Sequence, residues 1–135
     1  MSKIAGFHHI ALNVSDFEKS YKFYTECLEF KEYRRWITDD GKKTIALLQC
    51  GNGNMIELFS SATPGIMCDN RAGDIIHFAL RVDDAKFWYD KAISYGCESY
   101  MIAEPKILPA NPPISCVIGF VKGPDGELIE FFEEK

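Results

Sequence analysis

The stretch His9-Ile10-Ala11-Leu12-Asn13-Val14-Ser15-Asp16 returns later in the chain as His77-Phe78-Ala79-Leu80-Arg81-Val82-Asp83-Asp84. His, Ala, Leu, Val and Asp keep their offsets in both copies. Self-similarity of this kind marks a duplicated structural unit, and it constrains the fold before any single residue is interpreted. In an extended conformation, His9, Ala11 and Asn13 share one face and Ile10, Leu12 and Val14 share the other. The second face is wholly apolar and calls for a helix to cover it.

Each copy is followed by such a helix. Ser15 with Glu18 reads as a capping box. Phe17, Tyr21, Tyr24 and Leu28 then recur at helical spacing, which predicts a helix over about 16–27. In the second copy, Asp83 and Asp84 cap a helix whose apolar stripe includes Phe87, Ala92 and Ile93, with Gly96 at its end. Strand patterns follow each helix. In the first half they cover 30–38, 43–50 and 55–60, separated by the turn signals Asp39-Asp40-Gly41 and Gly51-Asn52-Gly53-Asn54. In the second half the repeated stretch reads as a strand over 75–82, and the patterns after the helix cover 99–102, 115–121 and 128–132, with the turn Gly123-Pro124-Asp125-Gly126 before the last.

The expected fold is therefore α+β: two βαβββ modules in tandem, over 5–60 and 75–134, joined by a linker over 61–74. The stretch from Glu104 to Pro113 carries Pro105, Pro109, Pro112 and Pro113. It is too proline-rich for a central strand and reads as a long hairpin connection, with a lid as the alternative.

At 135 residues the chain fits one domain, long enough to bury a core without covalent staples. A formal charge of −5 argues against a nucleic-acid partner, whose binding surface would be basic. The five cysteines are odd in number and show no C-x-x-C spacing. They read as reduced thiols in a cytoplasmic protein. No apolar run is long enough for a signal peptide or a membrane span, so no membrane partner is expected.

The two modules also match in their carboxylates. Each ends in a strand with an Ile-Glu step, Ile56-Glu57-Leu58 and Ile129-Glu130-Phe131. Each module thus supplies a His on its first strand and a Glu on its last. A carboxylate flanked by apolar residues on a buried strand is costly unless it is paired or bound to a metal. Two imidazoles and two carboxylates suit one divalent transition metal with open positions: nickel, cobalt, zinc, manganese or iron. The candidate ligands are His9, Glu57, His77 and Glu130. His8 aligns with Ile76 in the repeat and is expected on the opposite face from His9.

These residues carry a resemblance. The opening His-Ile-Ala-Leu-x-Val, the helix ending in Phe23-Tyr24-x-x-x-Leu28-x-Phe30, the Ile-Glu-Leu step and the closing Pro124-Asp125-Gly126-x-x-Ile129-Glu130 resemble the vicinal oxygen chelate superfamily. Within it, the chain is most similar to small bacterial glyoxalase I. The resemblance implies curved mixed sheets around a metal held by His9, Glu57, His77 and Glu130. It also implies a small-molecule substrate and a homodimer, because glyoxalase I sites usually form across a dimer interface.

The implied reaction converts a 2-oxoaldehyde–thiol hemithioacetal to a 2-hydroxyacyl thioester, as in methylglyoxal detoxification. Glu130 is the expected base, with Glu57 the other candidate. Where bacterial glyoxalase I generally has an Arg that engages glutathione, this chain has Asn13, which cannot supply a charge-assisted bidentate contact. Arg81 stands at the corresponding place in the other half. Asn13 and Arg81 are the candidate substrate-binding residues. Two other readings stand beside this one: an epimerase or another lyase acting on an α-carbon beside a carbonyl, which uses the same site, and a non-catalytic binding module, which holds no metal and binds its ligand in an aromatic pocket near Phe59 and Phe132.

Overall fold

A computed structural model describes residues 1–60 and 71–135. The chain divides into two compact units, Met1–Pro64 and Gly65–Lys135. Most of the expected linker over 61–74, and Cys68 within it, lies outside the described residues.

The first unit runs β1 (His9–Asn13), α1 (Phe17–Lys22), a π-helical segment (Phe23–Cys27), β2 (Lys31–Ile37), β3 (Thr44–Gly51) and β4 (Asn54–Phe59). Its sheet has the order β1-β4-β3-β2, with β1 parallel to β4 and the other pairs antiparallel. The second unit runs β5 (Phe78–Arg81), α2 (Ala85–Tyr95), β6 (Glu98–Leu108), β7 (Ile114–Lys122) and β8 (Leu128–Glu134). Its sheet has the order β5-β8-β7-β6, again with one parallel pair, β5 and β8. The expected α+β architecture of two βαβββ modules is what forms.

In unit 1, one face of the sheet and the helix build the core. Val14, Ala46, Leu48, Ile56 and Leu58 are buried on that face, with Phe23, Tyr24, Cys27 and Leu28 from the helical segment. Burying each large side chain contributes about 1.5–3 kcal/mol. The helix is not regular throughout. The Leu28 N–H reaches back to the Phe23 carbonyl at 3.2 Å, a wider turn than an α-helix makes. That widening keeps Phe23, Tyr24, Cys27 and Leu28 all on the buried side. The N-cap also differs from expectation: Asp16, not Ser15, accepts the Lys19 N–H, at 3.1 Å. Asp84 does the same for Phe87 in α2 at 3.0 Å, so both caps sit at the repeated Asp.

Three further expectations are corrected. The strand predicted over 75–82 is shorter, because its pairing with β8 runs only from Phe78, opposite Ile129, to Arg81, opposite Phe132; Ile75 and Ile76 are exposed. Phe87 does not belong to the buried stripe of α2, which is Ala85, Tyr89 and Ala92; Phe87 lies exposed, edge-on to Trp88. Part of the proline-rich stretch is strand after all. Pro105 pairs with Val117 in β6, which is the outer strand of its sheet and tolerates a residue without an N–H.

Candidate functional site

In unit 1, the register sets His9 opposite Met55 and Ala11 opposite Glu57 on the parallel neighbour. His9 and Glu57 are therefore diagonal neighbours on the sheet face turned away from the helix. The His9 Nε2 lies 3.4 Å from Glu57 Oε1, with the imidazole 39% exposed and the carboxylate 11%. In unit 2, His77 immediately precedes β5, and Ala79 lies opposite Glu130. The His77 Nε2 lies 3.4 Å from Glu130 Oε1, at 36% and 10% exposure. The same pair is thus built twice, with the same contact length and the same division between an open imidazole and a covered carboxylate.

The carboxylates are covered because they sit mid-strand between apolar neighbours. Glu57 faces Leu47 across β3, and Glu130 faces Phe120 across β7. Burial raises the Glu130 carboxyl above the usual carboxylate range, and His77 beside it offsets part of that rise. A carboxylate in such a place calls for a cation or a proton.

The candidate residues group as follows. The structure brings His9 to Glu57 and His77 to Glu130. Among the described residues, no three of His, Cys, Asp and Glu are gathered into one cluster. Asn13 and Arg81 are exposed at the far ends of β1 and β5, opposite Phe59 and Phe132, on the same faces as the His–Glu pairs.

His8 departs from its expected place. The strand begins at His9, so alternation does not govern His8, and its Nδ1 lies 2.8 Å from the His9 Nδ1. Phe120 was not anticipated either: its ring meets His77 edge-on, with centroids 5.1 Å apart. The His-His step was a signal in the sequence for the first contact, whereas the second depends on strand register. Cys27, Cys50, Cys97 and Cys116 carry thiols rather than disulfides. No helix among the described residues is long and apolar enough to cross a membrane.

Comparison with known proteins adds an independent line. The sequence pattern of the Glyoxalase/Bleomycin resistance protein/Dioxygenase superfamily matches residues 6–131. A lactoylglutathione lyase of Haemophilus influenzae is 30% identical over 131 residues, covering 94% of this chain and 91% of that protein. The crystal structure of SMU.1112c superposes with a TM-score of 0.79 at 27% identity, covering 97% of this chain and all 100% of that one. A V278E mutant of glyoxalase I from Zea mays gives a TM-score of 0.71 at 27% identity over 93% of this chain, which spans 43% of the maize chain. With its paired βαβββ units and a match over nearly its whole length, the chain belongs to the Glyoxalase/Bleomycin resistance protein/Dioxygenase superfamily.

Proposed function

We propose that this protein is a metal-dependent glyoxalase-type lyase. It isomerises the hemithioacetal of a 2-oxoaldehyde and a thiol to a 2-hydroxyacyl thioester. The observation that supports this most is the twin His–Glu pair, each with a covered carboxylate 3.4 Å from an open imidazole. Two imidazoles and two carboxylates fit a divalent nickel, cobalt, zinc, manganese or iron ion. His9, Glu57, His77 and Glu130 would hold it, the two pairs being drawn from one chain or from two copies in a homodimer. When bound, the ion supplies Lewis-acid polarisation of the substrate's oxygens.

The chain's own residues carry the proton. Glu130 takes it from the hemithioacetal carbon and returns it to the neighbouring carbonyl carbon, so the reaction consumes no other reagent. Asn13 and Arg81, on the same sheet faces, would contact the substrate's thiol-bearing portion. The names of the relatives, lactoylglutathione lyase and glyoxalase I, support the same reaction class.

The test is a turnover assay with methylglyoxal and glutathione across the five metals, with metal analysis of protein purified without added metal. Bound divalent metal and metal-dependent turnover are expected. The Glu130→Gln variant should keep the fold and lose about 10²-fold or more in kcat. Undiminished turnover in that variant overturns the assignment of the base. Turnover only of some other substrate with a proton beside a carbonyl, and none of the hemithioacetal, replaces the lyase with an epimerase.

A further inference from the structure

We propose that His8 is a positioning residue for His9, orienting that imidazole to present its Nε2 to a metal. This inference rests on the metal reading above and extends it to a residue outside the ligand set. The two rings meet edge-on, with centroids 5.1 Å apart and planes at 80°, and their Nδ1 atoms are 2.8 Å apart. At that distance one nitrogen donates and the other accepts.

A metal takes an imidazole nitrogen that carries no hydrogen. With Nε2 committed to the metal, the hydrogen of His9 sits on Nδ1 and is donated to the Nδ1 of His8. The hydrogen of His8 then sits on its own Nε2, so both rings are neutral and every nitrogen has a defined role. Metal-bound histidines characteristically donate their second N–H to a fixed acceptor, which sets the tautomer and the ring plane.

His8 is itself held in place. Its carbonyl accepts the Met55 N–H at 3.1 Å, on the strand that carries Glu57. The acceptor and the partner carboxylate of His9 are therefore both tied to β4. The chain runs His8 Nδ1, His9 Nδ1, His9 Nε2, Glu57 Oε1, with contacts of 2.8 Å and 3.4 Å outside the ring.

The second module solves the same problem differently. Ile76 stands where His8 does, and the edge of Phe120 meets the His77 ring at 5.1 Å and 89°. One ligand is oriented by a hydrogen bond and the other by an aromatic contact. His8 is thus a control point specific to the first module.

The experiment measures the dissociation constant of Ni²⁺ for the full chain, by competition with a chromophoric chelator. It compares the wild type with His8→Ala, His8→Phe, His8→Asn and, as controls, His9→Ala and His77→Ala. Loss of the acceptor should weaken Ni²⁺ binding about 10–100-fold in His8→Ala and His8→Phe. The Asn amide oxygen can accept from His9, so His8→Asn should bind close to wild type. Because His8 is exposed, thermal unfolding of the metal-free protein should not change in any His8 variant. Wild-type affinity in His8→Ala overturns the inference, as does full affinity in His8→Phe, which keeps the ring and removes the acceptor. Wild-type affinity in both His9→Ala and His77→Ala instead overturns the metal reading itself.

Discussion

Glu127 is a carboxylate held in an unfavourable place. It is 2% exposed and sits inside the turn before β8, where its Oε1 accepts the Asp125 N–H at 3.3 Å. Burial pushes its carboxyl up from 4.5 to about 7. Between those values the unfolded chain has released this proton while the folded chain still holds it. The unfolded state binds fewer protons, so this group's contribution to stability falls as pH rises through the window and is level outside it. In Glu127→Gln, denaturant midpoints measured from pH 4 to 8 should lose that component and rise relative to wild type at pH 8. An unchanged slope across the window would remove Glu127 as its source. Gly123 makes the pocket possible, since a Cβ there would stand 1.7 Å from the Glu127 Oε1. The sequence marks this turn by its Gly-Pro-Asp-Gly, but nothing in it tells that Glu127 folds back over Gly123.

At the scale of elements, the β6–β7 contact in unit 2 is closer than side chains normally permit. A Cβ on Gly119 would meet the Ala103 Cα and Cβ at 2.8 Å. Both atoms belong to a strand that cannot swing aside, so Gly119→Ala should cost about 1–3 kcal/mol through forced strand separation. A lowered Tm with retained β-sheet circular dichroism is the expected result, and an unchanged Tm would show that the strands yield freely. The strands on either side of this contact were legible to different degrees. The apolar patterns predict β7 and β8 nearly to their bounds. The pattern predicts β6 only over 99–102, because the prolines after it argue against a ladder. What makes Pro105 acceptable is position in the sheet: β6 is outermost, and only its pairing with β7 reveals that. The first helix shows the same division. Its apolar residues were evident, but the π-helical widening follows from packing Phe23, Tyr24, Cys27 and Leu28 together.

For the molecule as a whole, the proposed metal, if held by His9, Glu57, His77 and Glu130 together, would couple the stabilities of the two modules. Ni²⁺ or Zn²⁺ at a free concentration about 100 times its dissociation constant should stabilise the protein by about 2.7 kcal/mol. The resulting rise in Tm should be reversed by a chelator. It should disappear both in His9→Ala and in His77→Ala, although each change lies in only one unit. A rise that survives one of these substitutions would limit the metal to the other module. Sedimentation in the presence of the metal should give a homodimer; a monomer that keeps full turnover would contradict that part of the proposal.

The repeat at His9–Asp16 and His77–Asp84 determined the duplication, the strand faces and the acidic cap of α2, and with the two Ile-Glu steps it marked His9, Glu57, His77 and Glu130 as a candidate set. These follow from local spacing, which the sequence states directly. Tertiary structure decided the rest. It set His9 and His77 each 3.4 Å from its glutamate, joined His8 to His9, and buried Glu130 enough to raise its carboxyl. Distances and burial arise where strands distant in sequence pair, and periodicity along one strand carries no information about its partner's register.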